Sequence, residues 1–144
     1  GHAVGDALLV GVAGALTERL RETDVVARLG GDEFAVIIPG ETDEQAEFVA
    51  RALVASITQA SEPFGTARPV TASIGVVALH ADLTAADALL YADLAMYRAK
   101  AAGKNGVSLY RPADADDSSR DHLRPAPGGR PDRGRVPAGG ARAA

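Results

Sequence analysis

The chain has no cysteine among its 144 residues. That excludes disulfides, zinc–thiolate centres and a cysteine nucleophile. It also lacks an apolar run near the ~18 residues that would span a bilayer, so no membrane contact is expected from this segment. No signal peptide is visible, and the chain opens on Gly1-His2 rather than Met and enters a helical pattern almost at once. The expectation is that an upstream part of the protein is missing. A basic excess is absent too: the formal charge is −4, which argues against non-specific nucleic-acid binding.

The chain does have enough apolar content, 47%, to bury one sizeable core. Composition changes near Pro112. Residues 1–111 carry nine Lys or Arg against fourteen Asp or Glu, a net of −5, whereas residues 112–144 carry six against five, a net of +1. After Leu123 the sequence is almost all Arg, Pro, Gly, Ala and Asp. Such a segment cannot bury enough surface to offset its ordering entropy, so 112–144 is expected to be a disordered tail. Its GC-codon residues also suit an out-of-frame read from Pro125 onward.

Residues 1–111 alternate between helical and extended patterns. Leu8, Leu9, Val12, Leu16 and Leu20 repeat at helical spacing and predict a helix over Asp6 to Arg21. Asp24 to Leu29 and Phe34 to Ile38 read as strands. Thr42 or Asp43 caps a second helix reaching Gln59, with Ala46, Val49, Leu53 and Ile57 in one stripe. Pro69 to Leu79 reads as a strand, Thr84 caps a third helix ended by Gly103, and Asn105 to Tyr110 is a last short strand. The order α-β-β-α-β-α-β predicts an α/β architecture of the sandwich type, with helices covering a sheet.

Between the first two strands stands Gly30-Gly31-Asp32-Glu33, although two residues suffice to close a hairpin. Glycines let the backbone approach a phosphate without a Cβ clash. Adjacent carboxylates offer hard oxygen ligands to Mg²⁺, which binds through one or two carboxylates plus substrate phosphates. Read alone, the stretch also fits a solvated acidic turn. Arg21-Glu22-Thr23-Asp24 lies just upstream; Lys100 and Lys104, four apart, are expected to share a helix face. Met96 and Tyr97 read as core.

Four ordered blocks, "GHAVGD" at 1–6, "ARLGGDEF" at 27–34, "SIGV" at 73–76 and "ADLAMYRAKAAGKN" at 92–105, resemble the GGDEF domain of diguanylate cyclases. The resemblance covers nearly all of residues 1–110. It implies a central mixed sheet flanked by helices, similar to adenylyl cyclase catalytic domains and polymerase palms. It also implies condensation of two GTP into cyclic di-GMP with release of pyrophosphate, in a homodimer whose subunits each hold one GTP. By the same resemblance Asp32 is a metal ligand and a candidate base, and Glu33 supports the metal, which is Mg²⁺ or Mn²⁺. Gly30 and Gly31 would line the phosphates and ribose. Asp6 would accept from the guanine edge, and could also cap the first helix. Lys100 and Lys104 would hold the terminal phosphates, with Lys at the second position where the family often has Arg. Arg21 and Asp24 fit the family's RxxD inhibitory motif for cyclic di-GMP, to which Arg51 is a weaker candidate contributor.

The departure lies at the N-terminus. The family's first strand carries a metal-binding Asp, followed by a Phe-Lys and an Asn, and none of these stands before "GHAVGD". The expected consequences are a gap in the sheet and an isolated chain that is inactive as a cyclase. Two other readings stay open: a catalytically idle module that binds cyclic di-GMP, and a fragment without independent function. The expected location is cytoplasmic, alone or as the cytoplasmic part of a larger sensor-linked protein. An EAL phosphodiesterase domain following Tyr110 to Arg124 is a further possibility.

Overall fold

The computed structural model describes residues 2–64 and 69–112. Its elements are α1 (His2–Arg19), β1 (Val25–Gly30), β2 (Glu33–Ile37), α2 (Asp43–Ser61), β3 (Ser73–Val76), α3 (Ala85–Ala101) and β4 (Gly106–Leu109), with a 3₁₀ turn over Glu62–Phe64 after α2. The element order is the one read from the sequence. Except for Pro112, the expected tail lies outside the described residues.

Both predicted caps form. The Thr42 hydroxyl accepts from the Gln45 amide at 3.3 Å, and the Gln45 side chain accepts from the Thr42 amide at 2.9 Å, a reciprocal capping box. The Thr84 hydroxyl accepts from the Asp87 amide at 3.1 Å. Asp6 does not cap α1: the helix already runs from His2, so Asp6 sits inside it, exposed.

The core is a seam between α1 and α2. Val12 and Leu16 lie one turn apart on α1, as do Leu53 and Ile57 on α2, and the four are buried together. Arg19 Nε donates to Ser56 Oγ at 2.9 Å and ties the same two helices at one end. Val26 and Phe34 pack onto this seam from the hairpin, and Ala72 and Ile74 pack onto it from β3 and its approach.

The strands form two separate pairs. β1 and β2 are antiparallel, while β3 and β4 are parallel, with Ser73 opposite Gly106 and Val76 opposite Leu109. The two pairs share a core without sharing a hydrogen-bonded ladder. The sequence leads to the expectation of one mixed sheet; the described strands instead form two two-stranded sheets.

α3 covers the face of β3 opposite the seam. Successive strand residues point to opposite faces, so Ile74 meets the core and Gly75 meets α3. A Cβ at Gly75 would stand 2.0 Å from the Ala92 carbonyl oxygen and 2.5 Å from the Met96 amide nitrogen. Only glycine admits a helix this close. Ala95 and Ala99 are buried on the same stripe. Tyr97 falls off that stripe and is 59% exposed, against the expectation that it is core, while Met96 is half-buried. The small side chains of α3, not its large ones, set its distance from the sheet.

Candidate functional site

The signature stretch sits at the tip of the β1–β2 hairpin. Gly30 pairs with Glu33, so the loop proper is only Gly31-Asp32. The length read from the sequence as extra resolves into this two-residue turn plus an irregularity between Arg28 and Gly30, where Leu29 is inserted into the ladder. Gly31 has φ of +53° at the first loop position, the conformation that favours glycine there. Apart from chain neighbours, no atom lies within 4 Å of a Cβ built at Gly30 or Gly31, so that side of both residues is open. Asp32 and Glu33 are exposed beside them.

Arg28 holds this tip. Its Nε and Nη2 donate to the Gly31 carbonyl at 2.9 and 2.7 Å, a two-pronged grip across the turn. A chelated carbonyl fixes the plane of the Gly31–Asp32 peptide and with it the direction in which Asp32 leaves the chain. The sequence reading quoted Arg28 without giving it a role. Its position three residues before Gly31 was the available signal.

Arg28 also lines a cleft of about 430 Å³ between α1 and the inner face of the hairpin, together with Asp6, Leu9, Thr17, Val26 and Phe34. The cleft brings Asp6 and the signature hairpin into one place although they are far apart in sequence. Apolar walls with one carboxylate and one guanidinium at the rim suit a flat, hydrogen-bonding base.

The two lysines do not share a helix face as expected. Lys100 is in the last turn of α3, but the helix ends at Ala101 and Lys104 lies beyond it. Gly103, Lys104 and Asn105 have φ of +118°, +62° and +48°, and the Lys104 amide donates back to the Ala99 carbonyl at 3.1 Å. This left-handed closure turns the chain into β4. Both lysines remain exposed. α3 packs on β3 and β4, so the lysines belong to the other strand pair from the signature turn.

Arg21 and Asp24 form a closed turn after α1. The Arg21 amide donates to Asp24 Oδ2 at 2.8 Å, and the Asp24 amide donates to the Arg21 carbonyl at 3.0 Å. Asp24 therefore binds the Arg21 backbone, while the other carboxylate oxygen is buried without a partner. The Arg21 guanidinium turns instead to Glu41, at 2.6 Å. Arg51 is engaged by Glu47 one turn earlier on α2.

The donor set for a divalent cation is partial. Asp32 and Glu33 supply hard oxygens, but among the described residues no cluster of three or more His, Cys, Asp or Glu could hold a metal ion. Two adjacent exposed carboxylates fit the way Mg²⁺ is bound when substrate phosphates and waters complete its shell.

Among the described residues, no helix is long and apolar enough to cross a membrane. The profile of the family described as "Diguanylate cyclase, GGDEF domain" matches residues 1–106. The chain is 43% identical over 105 residues to the diguanylate cyclase TpbB of Pseudomonas aeruginosa (PAO1), covering 69% of this chain and 24% of TpbB. It is 38% identical over 114 residues to MucR of the same organism, a bifunctional diguanylate cyclase/cyclic di-GMP phosphodiesterase, covering 76% of this chain and 16% of MucR. The chain thus spans a quarter or less of the length of either relative. Among solved structures, the GGDEF domain of TpbB superposes with a TM-score of 0.68 at 38% identity, over 83% of this chain and 71% of that one.

Proposed function

The chain belongs to the diguanylate cyclase GGDEF family, and from that premise we propose that the protein condenses two GTP into cyclic di-GMP at the Gly30–Glu33 turn. The observation that carries this reading is the tip itself. A backbone bared of side chains lies beside two free carboxylates, and Arg28 fixes its peptide plane.

The reaction is a double displacement. The 3′-hydroxyl of each GTP attacks the α-phosphorus of the other; two P–O bonds form, two break, and two pyrophosphates leave. Asp32 and Glu33 would hold a divalent cation, Mg²⁺ or Mn²⁺, which when bound neutralises the charge developing on the phosphates. Asp32, exposed at the turn, would take the proton of the attacking hydroxyl. Gly30 and Gly31 let the phosphates approach the backbone. Asp6 accepts from guanine N1–H and N2–H₂ across the cleft it shares with Arg28. Lys100 and Lys104 attract the terminal phosphates. Because one hairpin holds one GTP, two copies must face each other, and the working unit is a homodimer. Residues 1–111 form the domain, and its GTP substrate places it in the cytoplasm.

Arg21 and Asp24 constitute a separate product site, where a bound cyclic di-GMP inhibits the enzyme. A second reading, a cyclic di-GMP receptor without turnover, is favoured by one observation: this turn is complete in the described residues whereas the metal-ligand set stops at two carboxylates. The distinguishing experiment supplies the full-length protein with GTP and Mg²⁺ and resolves the products by chromatography. Cyclic di-GMP and pyrophosphate in a 1:2 ratio support the cyclase; recovered GTP with retained cyclic di-GMP binding supports the receptor.

A further inference from the structure

Arg21 is not free to meet a ligand. Its side chain is 70% exposed, yet Nη1 is bound at 2.6 Å by Glu41, whose side chain is only 7% exposed. Glu41 is placed by structure on both sides: it follows the Gly40 turn, where φ is +78°, and precedes Thr42, which is locked into the α2 capping box. The Glu41 side chain, little exposed and set at a helix start, keeps its place, so a ligand displaces it from the guanidinium only by drawing the long exposed arginine away. The pair stands on the wall of an open cleft of about 370 Å³, whose other side is formed by Glu44, Gln45, Phe48 and Val49 of α2, so a second carboxylate, Glu44, also faces the cleft and stays there when Glu41 is replaced. Phe48 is 74% exposed there. An anionic nucleotide entering this cleft thus meets an arginine already charge-neutralised from within.

We propose that Glu41 is an internal competitor for Arg21, so that a nucleotide phosphate binds by displacing the Glu41 carboxylate, and that this exchange sets the ligand concentration at which the Arg21–Asp24 site fills. The proposal rests on the reading of that site as a cyclic di-GMP site. The chemistry is a swap of one oxyanion for another on the same donors. A phosphate can present two oxygens to the guanidinium, as a carboxylate can, so the ligand gains only the difference between the two. The unpartnered oxygen of Asp24 lies buried in the same turn. An uncharged residue at position 41 removes the competitor while leaving Arg21, Asp24 and the cleft in place.

The test is isothermal titration of cyclic di-GMP into four forms of the full chain: wild type, Glu41→Gln, Arg21→Ala, and the double variant. Glutamine keeps the shape of Glu41, and circular dichroism checks that each variant is folded. Glu41→Gln is expected to tighten binding on the order of fivefold, the worth of a partly exposed ion pair. The double variant is expected to bind as weakly as Arg21→Ala, because the effect passes through Arg21. Equal or weaker binding by Glu41→Gln overturns the proposal and makes Glu41 a support that positions Arg21. A gain that persists in the double variant overturns it as well. If Arg21→Ala binds as tightly as wild type, or if neither wild type nor Glu41→Gln binds, the site reading itself has failed, and the proposal falls with it.

Discussion

Replacing Gly75 by alanine adds one methyl group where there is no room for it. The new Cβ would lie 2.0 Å from the Ala92 carbonyl oxygen and 2.5 Å from the Met96 amide nitrogen. Both are backbone atoms of α3 in mid-helix, so neither can rotate away as a side chain would. The helix must retreat from β3, and the retreat loosens the buried Ala95 and Ala99. Overpacking costs typically about 1–3 kcal/mol, and the rigid neighbours put this case at the upper end. For a domain of this size about 3 kcal/mol lowers Tm by roughly 12 °C or more. Gly14 is the control: it is a helical, exposed glycine of α1 with nothing within 4 Å of its Cβ position. Alanine there should stabilise by about 0.5–1 kcal/mol through helix propensity alone. Thermal melts followed by circular dichroism compare the two. A Gly75→Ala variant that melts with wild type would refute the close approach of α3 to β3, and with it the packing account of "SIGV".

Arg21→Ala should weaken cyclic di-GMP binding, by less than the about 1.5–3 kcal/mol of an unopposed charge-assisted contact because Glu41 already holds the guanidinium in the free protein; equal affinities by calorimetry would leave Arg21 as the ion-pair partner of Glu41 alone. Thr42→Ala removes one side of the capping box and should cost about 1 kcal/mol in a urea titration, with an unchanged denaturant slope.

What the sequence made legible was local. Thr42, Gln45 and Thr84 act within four residues, so both caps could be read before the fold was known. The two helices flanking the core followed from apolar spacing, because Val12, Leu16, Leu53 and Ile57 need only one face each. The misreadings all required partners distant in the chain or backbone angles that spacing does not encode. Lys100 and Lys104 are four apart but do not share a face, since Gly103 takes the chain left-handed between them. Spacing alone makes Tyr97 read as core, yet the alanine stripe of α3 faces Gly75 and leaves Tyr97 exposed. The length of the signature turn was overcounted because an irregularity near Leu29 leaves no sequence pattern of its own. Arg28 and Glu41 went unassigned for the same reason: their roles exist only once the hairpin has closed and α2 has docked beside Arg21. The blocks that placed the chain in its family named which residues matter, but not how they are held.

The most direct test of the signature turn as the site of nucleotidyl transfer is the Asp32→Ala substitution in the full-length protein. Asp32 is exposed at a two-residue turn and contributes little packing, so the variant should melt close to wild type. Initial rates of cyclic di-GMP formation from GTP and Mg²⁺ are then compared at matched protein concentration. The account predicts a folded protein with no detectable turnover and with cyclic di-GMP binding at Arg21 retained. A folded Asp32→Ala variant that makes cyclic di-GMP at the wild-type rate would contradict it.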